Sequence, residues 1–247
     1  MSALLNSNEA ALRAFIARVV GWANTSAIDH ALRSIHLSVT HHAALVLLGG
    51  SDLVSVARRI HVETLGKGRP FVVCERRRYA SGTAAAQAAR GGSLCVPRAR
   101  LPRDSPTLAE LLRDPLAATQ LMVCAEAHHH THPFLFRPAP LRIPALSTRT
   151  SELPRIVDEF AHDAVVSLGA TATGFTHIDR EWLIAHSSAT LSEVEKGTRR
   201  LVAIRQTSSI SRAAALLGMS HVSLSQWLER RRFAGRNRPA RRGRWTS

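Results

Sequence analysis

Ser220, His221, Ser223, Gln226 and Arg230 crowd into one short stretch, Ile210–Arg232, written ISRAAALLGMSHVSLSQWLERRR. Hydroxyl, imidazole, amide and guanidinium groups are the side chains that hydrogen-bond base edges in a DNA groove, and Arg230, Arg231 and Arg232 offer cations to phosphates. The chemistry on offer is recognition of double-stranded DNA rather than the making or breaking of bonds.

Those groups share a face only if two helices hold them. The pattern predicts a helix from about Ile210 to Leu217, stopped at Gly218, which accepts the positive φ of a tight turn. Ser220 is placed to cap a second helix, His221–Arg231. Leu224, Trp227 and Leu228 recur at i, i+3 and i+4, which turns them toward Ala214, Leu217 and a preceding helix Leu191–Gln206. The small residues Ala213 and Ala214 permit a close crossing.

Charge is distributed to match. Of a net +15, the residues from Lys196 onward carry thirteen basic side chains against Glu229 alone. The first 195 residues are nearly balanced, with 20 basic and 17 acidic side chains. One end of the chain therefore carries the signal for a polyanion. The tail from Phe233, FAGRNRPARRGRWTS, has no apolar periodicity and is expected to stay disordered until it meets negative charge.

Other chemistries are weaker. His128, His129, His130 and His132 invite a metal. They lack a cysteine or carboxylate partner at helical spacing, so a solvated loop and no cofactor are expected. Cys74, Cys95 and Cys124 each close a short β-like run and read as buried strand thiols. No Ser/His/Asp or Cys/His order stands out among thirteen histidines. The N-terminus MSALLNSNEAALRAFIARVVGW interrupts its apolar residues with Asn, Glu and Arg, unlike a signal peptide, and no run of about eighteen apolar residues exists. A cytoplasmic, nucleoid-associated protein with no membrane contact is expected.

Upstream, five apolar runs (43–48, 71–74, 93–96, 121–124 and 140–143) are continuous rather than alternating, as in strands buried on both faces of a parallel sheet. Helical patterns at 53–65 and 107–113 separate them, so an α/β layer fold is expected. After Pro144 the pattern turns helical, with helices predicted at Ser151–Leu168, Asp179–His186 and Leu191–Gln206.

The stretch from Leu191 through Leu228 resembles the Fis-type helix-turn-helix. Fis-type modules commonly end the sigma-54 enhancer-binding activators, whose central domain is an AAA+ ATPase, and three upstream landmarks are similar to that domain. They are ALVLLGGSD with VARRIH (44–61), GGSLCV (91–96), and PLRIPAL through ELPRIV (140–157). The resemblance implies an AAA+-like three-layer parallel sheet with a helical lid, followed by an all-α module. The implied parts are an N-terminal helix (1–29), a core (30–145), a reduced lid (146–190), the helix-turn-helix (191–232) and the tail (233–247).

The same resemblance marks what is missing. A phosphate loop needs glycine backbone and a lysine. Gly49 and Gly50 remain, but the lysine position falls on Leu53 and the glycine before it on Asp52. The acidic pair that would hold Mg²⁺ and orient water falls on Pro97 and Arg98. The γ-phosphate sensor falls on about Ala127, and Ser187–Thr190 lacks the lid arginine. Only 16 residues separate Cys74 from Gly91, and none resembles the sigma-contacting GAFTGA loop. The expectation is a sequence-specific regulator without ATP hydrolysis, acting as a homodimer or higher oligomer. The alternative is an interaction protein that forms mixed assemblies with an intact AAA+ activator. Residual ATP binding would rest on the amides of Gly49 and Gly50 alone.

Overall fold

The computed structural model describes residues 2–41, 43–50, 52–75, 79, 81–97, 104, 118–126, 139–171 and 174–231. Ser51, Arg98, Arg232, the 107–113 helix, Ala127, the His128–His132 cluster and the tail from Phe233 lie outside them. Contacts divide the chain into two compact units: Met1–Glu152 with Thr190–Ser192, and Leu153–Ala189 with Glu193–Ser247.

The first unit is an α/β domain. Its elements are α1 (Ser2–Val20), α2 (Thr25–Thr40), β1 (Leu45–Gly49), α3 (Leu53–Leu65), β2 (Phe71–Val73), α4 (Gly82–Ala88), β3 (Ser93–Pro97), β4 (Gln120–Ala125) and β5 (Leu141–Ile143). The strands form one parallel sheet in the order β2-β3-β4-β1-β5. Because successive side chains point to opposite faces, each apolar strand splits between two cores. Leu45, Leu47, Cys95, Met122 and Cys124 pack with Phe15, Ile16, Ile28, Ile35 and Ile60 of α1, α2 and α3. Val46, Leu48, Leu94, Val96, Leu121 and Val123 pack with Ala85, Ala86 and Ala89 at α4. Helices thus cover both faces, which is why the strands read as unbroken apolar runs.

Sequence reasoning places one helix in residues 1–29; the chain instead makes two, joined at Gly21, whose φ is +106°. Asn24 caps the second, its side-chain oxygen accepting the Ala27 N–H at 3.1 Å. The first helix is a brace for the sheet, since Ile16 and Val19 are fully buried. Arg149 fixes its C-terminus by donating to the carbonyls of Arg18 and Val19 at 3.0 and 2.8 Å.

A buried polar chain ties the helices to the sheet. His61 Nδ1 lies 2.8 Å from Ser93 Oγ, which lies 2.9 Å from Gln120 Oε1; Gln120 Nε2 donates to Ser38 Oγ at 3.1 Å. His61 Nε2 donates to the Arg69 carbonyl at 3.1 Å. Burial pushes the His61 pKa below its ordinary value, Arg58 adds to that, and the bond to Arg69 opposes it. The three cysteines are buried, as expected, but only Cys95 and Cys124 lie within strands; Cys74 falls just past the end of β2. The Cys95 thiol is pushed up by its hydrogen bond to Cys124 and by burial.

The second unit is all helical: α5 (Leu153–Leu168), α6 (His177–His186), α7 (Leu191–Gln206), α8 (Ile210–Leu216) and α9 (His221–Arg230). Most of the residues expected as a separate lid, from Leu153 to Ala189, therefore group with the helices that follow them. Two contacts explain the grouping. Asp179 of α6 is fully buried, closes a capping box with Thr176 and accepts two hydrogen bonds from Arg205 of α7. Leu183 of α6 presses on Gly197 of α7, where an added Cβ would meet Leu183 Cδ2 at 3.0 Å.

Candidate functional site

Helices α8 and α9 meet through a turn whose hydrogen bonds follow from one glycine. Gly218 has φ +65°, its N–H reaches the Ala215 carbonyl at 3.1 Å, and the Met219 N–H reaches the Ala214 carbonyl at 2.9 Å. That double closure is a Schellman stop, which needs a left-handed residue just past the helix. Ser209 caps α8 by accepting the Arg212 N–H, and Ser220 caps α9 by accepting the Ser223 N–H at 3.1 Å.

The inner side of α9 is apolar. Leu224, Trp227 and Leu228 are buried, as are Ala213 and Ala214 of α8. Trp227 sits at the hub. Trp182 of α6 meets it edge-on with ring centroids 5.4 Å apart, and the guanidinium carbons of Arg200 and Arg231 lie 5.0 and 5.5 Å from its ring centroid. The quadrupole of an indole face draws such cations. Burial lowers the Arg200 pKa, and the neighbouring Arg231 and Arg230 lower it further.

The residues expected to read DNA therefore separate by role. Ser220 is the helix cap, and its hydroxyl lies 2.8 Å from that of Ser223, so these two groups largely satisfy each other. Arg231 turns over Trp227 and lies 3.9 Å from Glu193. His221, Gln226 and Arg230 remain exposed, with Arg230 Nε donating back to the Gln226 carbonyl at 3.3 Å. Val222, which sequence reasoning passed over because it carries no hydrogen-bonding group, is also exposed beside them. Its signal was present: it lies four residues before Gln226, on the same side of a helix.

At the end of β1 in the first unit, Gly49, Asp52 and Leu53 are held by contacts within that unit. Gly49 closes β1 where β5 comes near, since an added Cβ would meet the Ile143 carbonyl oxygen at 2.7 Å. Leu53, at the position of the expected lysine, is buried in the core under α3. Asp52 holds a left-handed backbone, φ 85°, and its carboxylate accepts the Ser192 N–H at 2.6 Å. Pro97 ends β3 beside Cys124 and offers no oxygen from its side chain. Among the described residues, no group of three or more His, Cys, Asp or Glu side chains could hold a metal ion. Nor is any described helix long and apolar enough to cross a membrane.

No family model matches the sequence, and no curated protein matches it. Solved structures do. NtrX from Brucella abortus in complex with ADP is 15% identical, with 84% of this chain and 69% of that one covered and a TM-score of 0.47. The ATP complex of the same protein is 17% identical over 83% and 67%, with a TM-score of 0.46. A further structure of NtrX from Brucella abortus is 16% identical over 81% and 68%, with a TM-score of 0.39.

Proposed function

We propose that the chain is a sequence-specific DNA-binding transcriptional regulator, related to sigma-54-dependent activators through its sequence motifs, that neither hydrolyses ATP nor remodels sigma-54. The observation that carries this reading is α9: a capped helix, docked on its apolar side, that presents His221, Gln226 and Arg230 outward in the part of the chain with thirteen of its 33 lysines and arginines. A recognition helix in a helix-turn-helix works in this way, its N-terminal turns contacting base edges. Two copies in a dimer would address half-sites about 34 Å apart, one turn of DNA.

The non-hydrolysing part of the proposal is supported by Leu53 and Asp52. Phosphoryl transfer depends on cations that neutralise the transferring group. This loop offers a core leucine and a carboxylate engaged with a backbone N–H. The first unit then serves as a scaffold for oligomerisation, sensing or partner docking.

The test is a mobility-shift titration of the full chain against the DNA flanking its own gene and against random DNA of equal length, over a salt series. A discrete complex should outlast the random one, with a ratio on the order of 10³ or more. Equal affinities at every salt concentration would refute the proposal.

A further inference from the structure

The outward face of α9 is centred on an apolar residue. At about 100° per residue, Val222 and Gln226 fall opposite the buried set Leu224, Trp227 and Leu228, with Glu229 a turn further on. His221 and Ser223 flank that centre. Val222 keeps 48% of its surface exposed in the first turn of the helix, and nothing apolar beside it on that face hides it. Ser220 and Ser223 are occupied with each other, so the two side chains best placed to enter a groove are an isopropyl group and a primary amide.

That pairing has a defined complement. In the major groove the C5-methyl of thymine is the one apolar group a base pair displays, and adenine N6 and N7 suit a bidentate amide. Resting on the DNA-binding reading above, we infer that Val222 is a specificity-determining residue that packs against a thymine methyl, with Gln226 reading an adenine close by. The recognised half-site contains a thymine whose methyl group, and not only its hydrogen-bonding edge, is read by this chain.

The experiment begins with selection of bound sequences from random duplexes by the full chain. Each thymine of the enriched site is then replaced in turn by deoxyuridine, which removes the methyl alone. In the wild type one position should weaken binding about fourfold on substitution, the equivalent of one buried methyl at ~0.8 kcal/mol. Val222→Ala should bind the thymine duplex about as weakly as the wild type binds the uracil one, and should not distinguish the two. Circular dichroism of the variant should match the wild type, because Val222 supports no core. Enrichment without any uracil-sensitive position overturns the inference and leaves DNA binding standing. So does a sensitive position that stays sensitive in Val222→Ala. Failure to enrich any sequence overturns both this inference and the reading beneath it.

Discussion

Asp179 is where the second unit should break most readily. Its carboxylate is fully buried, accepts the Thr176 N–H and hydroxyl at 3.0 and 2.8 Å, and takes both Nε and Nη2 of Arg205 at 3.1 and 2.8 Å. Asp179→Ala removes one half of a capping box, worth about 1 kcal/mol, and strands a guanidinium. Breaking a buried pair costs roughly 3–5 kcal/mol, but the Arg205 side chain is 31% exposed and can recover some water, so the low end applies. The sum is about 4 kcal/mol. Asp179→Asn should cost less, since an amide oxygen can still accept from Thr176. Urea unfolding followed by tryptophan fluorescence suits the question, because Trp182 and Trp227 lie in the same unit. In a cycle with Arg205→Ala the two losses should be coupled by at least ~1 kcal/mol. A loss under ~1 kcal/mol for Asp179→Ala, or full additivity, would show that the pair is ornamental and that α6 is held by packing alone.

Three further outcomes follow from the first unit. Burial holds the His61 pKa below 6.5, so below that value the unfolded chain binds a proton that the folded chain refuses. Stability is then full above 6.5 and falls as the pH drops through it, and His61→Gln should flatten this slope between pH 7 and 5; an unchanged slope would refute the assignment. Gly92→Ala drives a Cβ into the Pro70 carbonyl oxygen and should cost about 1–3 kcal/mol or more, whereas Gly50→Ala, with nothing within 4 Å, should be nearly neutral. Thermal melts that rank these two alike would contradict the structure. Millimolar ATP with Mg²⁺ should leave the melting transition where it is; stabilisation that grows with nucleotide concentration would place a nucleotide on the fold.

How much of this was written in the sequence depends on how local the signal is. Helices α3 and α7 fall on the residues predicted from periodicity, 53–65 and 191–206, and the Ser220 cap and Gly218 stop stand where residue type required them. The strands follow from apolar runs because both faces are buried. By contrast, α2 escaped because Ala31, Ser34 and Ser38 stand on its buried stripe, where small and hydroxyl side chains blur the period. Helix α4, GTAAAQA, has no apolar contrast at all; its alanines and its Ser81 cap specify it. At the candidate site, the choice of polar types selected Ser220, which the helix needs for itself, and passed over Val222. Arg231 was legible in principle, four residues after Trp227. The contacts of Asp52 with Ser192 and of Asp179 with Arg205 join residues far apart in the chain, and no local pattern announces them.

The central claim is that α9 reads DNA sequence, and the most direct measurement compares the full chain with a variant carrying His221→Ala, Gln226→Ala and Arg230→Ala. Both are titrated on the selected site and on random duplex at several salt concentrations. The account predicts that the wild type holds a discrete complex at salt that dissolves its random-DNA complex, and that the variant binds both duplexes with the same weak, steeply salt-dependent affinity. If the variant keeps the wild-type preference, α9 is not the reading head. If the wild type shows no preference at all, the basic charge is electrostatic only and the regulator proposal falls.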